Sequence, residues 1–146
     1  MIIRQNAHVI HERTENGLHH IVFLTNGKHA VNELLVSVLE LYDWGAKHQD
    51  KPTRILADTT RIPSVPVGSA LSALRRTLPT YPNPPVMQVA LINHSETIAT
   101  FVNGFVRMFV PNTTTFRVFT PATREQAYAW LNEPMPQPSE SPMSSE

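Results

Sequence analysis

The chain is 146 residues long, carries twelve basic and twelve acidic residues, and contains no cysteine. Zero formal net charge removes the overall electrostatic drive toward nucleic acid or anionic membranes, and the missing thiols exclude a disulfide framework, thiolate catalysis and a zinc ribbon. The N-terminus, Met1-Ile-Ile-Arg-Gln-Asn-Ala-His8, lacks the apolar core of a signal peptide, and no run approaches the roughly 18 apolar residues of a membrane span. A cytoplasmic protein without a transmembrane segment is expected, with no nucleic-acid partner. The adjacent Arg75 and Arg76 read as a solvated helix face.

His8 to Arg13 reads as an edge strand, Glu15-Asn16-Gly17 as a turn, and Leu18 to Thr25 as the second strand of a hairpin. From Lys28 to about His48, Val31, Leu34, Leu35, Val38, Leu41, Tyr42 and Gly45 recur at helical spacing, which predicts a long helix with one buried face. Lys47, His48 and Lys51 suit the negative end of its dipole.

Thr53 to Asp58 is a short strand, followed by a proline-bearing loop from Thr59 to Gly68. Ser69 to Leu78 predicts a second helix with Leu71, Leu74 and Leu78 inward, and the prolines from Pro79 to Pro85 end it. Val86 to Ile92 is almost continuously apolar, as a central strand covered on both faces must be. Asn93 with Glu96 starts a third helix whose stripe is Ile98, Phe101, Val102, Phe105, Val106 and Phe109.

Thr115 to Thr120 forms a last strand. Thr120 is placed to cap a fourth helix, with Pro121 at its first position and Ala127, Trp130 and Leu131 as its stripe. Residues 1–132 are expected to form a single domain, and the Pro, Ser and Glu-rich residues 133–146 a disordered tail. The order β-β-α-β-α-β-α-β-α predicts an α/β fold: a mixed, mostly parallel five-stranded sheet with four helices.

Ligands of open α/β sheets favour the crevice at the carboxyl ends of parallel strands. Asp58, Thr59, Thr60, Asn93 and His94 are placed to converge there on a ligand or a partner's backbone. The competing reading has Asp58 ordering its own loop and Asn93 capping a helix. The seven histidines show no helical His-x-x-x-His spacing and no accompanying carboxylate cluster, so no metal is expected.

Ser95, His94 and Asp58 supply the residue types of a triad, yet no Gly-x-Ser-x-Gly elbow is present, and Gly-x-Gly-x-x-Gly and phosphate-loop patterns are missing too. Neither catalytic residues nor a cofactor is therefore expected. Phe101, Phe105 and Phe109 read as core or as the wall of an apolar pocket that Met87 and Met108 would line. Trp44, with Tyr42 nearby, is either a partner or homodimer anchor or a helix-end residue folded over the core.

The element order, Ile55-Leu-Ala-Asp58 ending the third strand, and the closing Phe116-Arg-Val-Phe-Thr with Ala127-Tyr-Ala-Trp-Leu131 resemble the SpoIIAA-like or STAS-like superfamily. That superfamily holds anti-sigma-factor antagonists, STAS regions of anion transporters and small stand-alone bacterial proteins, which the closing motif resembles most. The likeness implies a STAS-type fold and a non-enzymatic regulatory module that binds another protein or itself. Regulatory members carry an Asp-Ser-Ser-Gly-like segment with a phosphorylated serine after the third strand. Here the stretch is Ser64-Val-Pro-Val-Gly-Ser69, without the Asp-Ser pair, and Ser69 is placed as a helix cap or a phosphosite. The loop 59–68, with Ser64, and the second helix would form the partner surface. The alternative is a small-molecule or lipid carrier with an apolar pocket beside helix 94–109; an enzyme is the least supported class.

Overall fold

The computed structural model describes residues 1–78, 83–95 and 113–133. Six strands form one sheet in the order β1-β2-β3-β4-β5-β6: β1 (Ile2–Gln5), β2 (Val9–Arg13), β3 (His19–Phe23), β4 (Thr53–Asp58), β5 (Met87–Ile92) and β6 (Thr114–Phe119). The first three run antiparallel, and β3 to β6 are parallel. Three α-helices are described: α1 (Lys28–Lys47), α2 (Val67–Thr77) and α3 (Arg124–Asn132). The helix expected over 94–109 and the tail beyond Glu133 lie outside the described residues.

The sheet has one strand more than the five read from the sequence. Four residues with two adjacent isoleucines show no alternation, so β1 is specified by its neighbour. Ile2 pairs Glu12 and Gln5 pairs Ile10, and a register shift separates Ile2 from Arg4. Asn6 makes the turn, its side-chain oxygen accepting the amides of His8 (2.8 Å) and Val9 (3.1 Å). The β2–β3 hairpin closes through Thr14 and Gly17, whose φ of +86° is the left-handed conformation that glycine adopts without a Cβ penalty.

Alternation along the strands divides the core in two. Ile21, Phe23, Ile55 and Met87 point to the face carrying α1 and α2, where they meet Leu41, Tyr42 and Leu78. Leu56, Ala90, Ile92 and Phe119 point to the other face and pack on Ala127 and Leu131 of α3. The expected stripe of α1 holds: Leu41, Tyr42 and Gly45 are buried, with Leu34 and Val38 half-buried against the same core. Gln88 is the buried polar exception on β5, its amide donating to the Trp130 carbonyl at 2.9 Å.

Both helix starts differ from expectation. Helix α2 begins two residues early, with Pro66 at its N-cap, so Ser69 sits exposed in the first turn and does not cap it. Pro121–Thr123 form a 3₁₀ turn, and α3 proper starts at Arg124. Thr120 still organises the turn: its amide donates to Thr123 Oγ1 at 3.0 Å. Tyr42 is buried and Trp44 half-buried, its ring edge-on to His19 and stacked on His48 at 3.7 Å between centroids. That arrangement is the helix-end residue folded over the core, and it takes Tyr42 out of any surface anchor.

Gly45 lets α1 pack close against the start of β4 and the loop before β5: a Cβ there would stand 2.7 Å from Pro85 Cβ and 2.8 Å from Thr53 Oγ1. Gly68, in the first turn of α2, has nothing within 4 Å of that position. Gly45→Ala is therefore expected to destabilise the fold by about 1–3 kcal/mol through overpacking. Gly68→Ala is expected to stabilise it by about 0.5–1 kcal/mol through helix propensity. Urea-denaturation midpoints of the two variants check both signs.

Candidate functional site

The carboxyl ends of β4, β5 and β6 do bring the expected polar residues together. Asp58 ends β4, and its Oδ1 accepts the Thr60 amide at 2.8 Å and the Thr60 hydroxyl at 2.6 Å. Its Oδ2 receives Arg124 Nη2 at 2.7 Å, an ion pair that joins the start of α3 to the end of β4. Burial opposes ionisation of Asp58, but the two Thr60 bonds and the Arg124 guanidinium outweigh it and hold the carboxyl below its ordinary pKa.

Thr59 and Asn93 interlock one strand over. Thr59 Oγ1 donates to the Ile92 carbonyl at 2.6 Å and accepts the Asn93 side-chain amide at 2.9 Å. Asn93 Oδ1 accepts the Ser95 amide at 2.8 Å. His94 is exposed, with Nε2 3.4 Å from the Thr60 carbonyl. Ser64 and Ser69 stand apart from this cluster. The Asn26 side chain holds Ser64 by its carbonyl (3.0 Å) and hydroxyl (3.1 Å) on the exposed loop before α2.

The residues placed at the crevice thus spend their polar groups on one another. Asp58 is committed to Thr60 and Arg124, which removes it as an orienting carboxylate for His94. Arg124 is the member that sequence reasoning passed over. A cation in the first turn of a helix opposes the helix dipole, and that conflict is the signal that a carboxylate waits nearby.

A second feature lies under α1 and α2: a cavity of about 220 Å3 between these helices and the sheet. Leu34 and Val38 of α1, Leu74 of α2, and Ala57, Val89 and Phe116 of the sheet are among its walls. Met87 lines it, as expected of a pocket residue, but the roof is α1 and α2; the pocket expected beside 94–109, and Met108 with it, fall on residues outside those described. Ser37 and Thr114 are also among its lining residues, but their hydroxyls are buried away from the open space and have no hydrogen-bond partner.

No group of three or more metal-ligating side chains occurs among the described residues. Two histidines do meet. The hairpin register sets His11 beside His19, both fully buried, with His11 Nε2 3.0 Å from His19 Nδ1. The opposite nitrogens, His11 Nδ1 and His19 Nε2, have no partner.

An antiparallel hairpin thus leads into a parallel α/β sheet with helices on both faces. The family model for SpoIIAA-like proteins matches residues 20–132, and the chain belongs to that family. No curated protein matches the chain. No described helix is long and apolar enough to cross a membrane.

Burial first, then the charges of His11, Arg13 and His48, push the His19 pKa down to about 4. Burial likewise lowers His11, with Glu40 opposing and Arg4 adding. An unfolded histidine titrates near 6.5, so between these values the unfolded chain binds more protons than the folded one. Stability is therefore expected to be full above about pH 6.5 and to fall as pH drops toward 4. Urea midpoints between pH 7.5 and 4.5 read the slope, and His19→Gln is expected to flatten it; an unchanged slope would remove His19 as the cause.

Proposed function

We propose that this chain is a non-enzymatic, STAS-type binding module whose ligand is a small apolar molecule held between α1, α2 and the sheet. The cavity of about 220 Å3 carries this reading. Its described walls are almost all hydrocarbon, and a ligand seated there would remove that apolar surface from water. The polar cluster at the strand ends supports a module without chemistry of its own, because Asp58, Thr59 and Asn93 serve the fold. A soluble apolar probe such as ethylbenzene is expected to raise the thermal midpoint of the full chain. Ala57→Leu, which fills the cavity from β4, is expected to abolish that rise while leaving the unliganded midpoint equal or higher. A rise that survives in the filled variant would place binding elsewhere and sink the reading.

A second reading, a protein-interaction surface on the loop 59–68 and α2, is favoured by one observation. Asn26 donates to the carbonyl and hydroxyl of the exposed Ser64 on this loop, next to an exposed Ser69 in the first turn of α2. A phosphate on Ser69 would sit where the helix dipole favours negative charge. In this reading the partner is another protein or a second copy of the chain. Mass spectrometry of the chain isolated from its native cells is expected to show a phosphate at Ser69, and Ser69→Ala is expected to lose the bound partner. A native chain without phosphate and with partner binding unchanged in the variant would dismiss Ser69 as a switch.

A further inference from the structure

We infer that the outer face of α1 is a self-association surface, through which two copies of this chain pair by their α1 helices, antiparallel about a two-fold axis. The inference is independent of what the cavity holds.

The helices differ in what they turn to solvent. Helix α2 exposes Ser69, Ser72, Arg75 and Arg76, and α3 exposes Glu125, Gln126 and Asn132, as the outer faces of amphipathic helices do. Helix α1 instead exposes Val36 at 40% and Leu39 at 36%, with the half-buried Leu35 beside them. Its buried side carries Ala30, Ser37, Leu41 and Gly45, so the apolar patch lies across the helix from the core. Among the described residues no other helix exposes a large hydrophobic side chain. Single exposed apolar residues are ordinary, but these fall on one line. Positions 28, 32, 35 and 39 recur at the four-, three- and four-residue spacing of a seam between two helices.

Charge decides what covers the patch. Exposed Lys28 and Asn32 lie at its N-terminal end, and exposed Asp43 lies one turn beyond Leu39. The first turn of α1 holds no acidic residue, and its N-cap, Gly27, supplies no side-chain bond. An antiparallel register that sets Leu35 against Leu39 of the second copy places Asn32 opposite Asp43 of that copy, and Lys28 about one turn away. Each carboxylate then meets a lysine and the positive end of a helix dipole, twice over by symmetry. Parallel pairing would set Lys28 against Lys28 and Asp43 against Asp43. The stripe is therefore complementary to itself, which makes a second copy its occupant. One helix per copy buries less than the roughly 800 Å2 per partner of a standard interface, so the dimer is expected to be weak.

Sedimentation velocity of the full chain at pH 7.5 and low salt tests this. A reversible monomer–dimer equilibrium is expected between about 1 and 500 μM. Leu39→Lys and, separately, Val36→Lys are each expected to weaken the dimer at least tenfold. The thermal midpoint should stay almost unchanged, because both side chains stand outside the core. Asp43→Lys is expected to weaken the dimer about 3- to 10-fold, and the double variant Lys28→Glu/Asp43→Lys to recover it to within about threefold. A chain that is monomeric at every concentration would overturn the inference and leave the stripe to a different protein or a lipid surface. A dimer that survives the lysine at 36 and at 39, or that the double charge reversal fails to recover, would overturn it as well.

Discussion

The two-sided burial of β4 is the constraint on which the rest of this structure depends. Ile55 faces the α1–α2 layer at 3% exposure, and Leu56 faces α3 at 0%. Its neighbours on both sides are parallel, and parallel pairing needs crossover connections, which here place helices on both faces of the strand. β4 pairs with β5 along its whole length and with β3 from Ile55 to Asp58, and α1 and α3 take their places on opposite sides of the sheet. The same strand delivers Asp58 to the carboxyl edge and Ala57 to the cavity wall.

Two chemically opposite regions grow from that arrangement. At the carboxyl edge, the Asp58–Arg124 pair and the Thr59–Asn93 interlock turn the usual ligand crevice of an α/β sheet into a joint between loops. The joint holds α3 against the sheet while Ala127 and Leu131 supply the apolar contact. On the α1–α2 face, Gly45 lets α1 approach Pro85 and Thr53 closely. Further along the same face the helices and the sheet enclose open apolar volume instead. At the strand ends the polar groups are consumed by the fold's own loops, and the space left under α1 and α2 is apolar.

The family's phosphorylation segment is where this chain departs from a regulatory STAS domain. Proline at the N-cap of α2 shifts the helix start and leaves Ser69 on an exposed turn with no capping duty. A serine that caps a helix has its oxygen engaged by a backbone amide. One in the first turn stands clear of that bond and keeps its hydroxyl for other chemistry. Ser69 therefore does not serve the capping role that its position in the sequence suggests.

Much of the fold was legible in the residues because periodicity reports which side of an element is buried. The spacing of Leu34, Val38, Leu41 and Gly45 identified α1 and its inner face, and the unbroken Val86–Ile92 run identified a central strand. The closing strand and the stripe of α3 were equally plain. Strand β1 was hidden, since four residues carry no period and its pairing is supplied by β2. Of the candidate site, the residues at the strand ends were legible by type and position. Their mutual commitments were not, because Arg124 lies 66 positions from the carboxylate it neutralises. His11 and His19 likewise meet only through hairpin register, and the cavity under α1 and α2 exists only where separate elements pack. Sequence alone determined which residues avoid water and in what local geometry. Tertiary structure decided which polar groups satisfy one another and where space is left, because both depend on contacts between segments that local patterning does not encode.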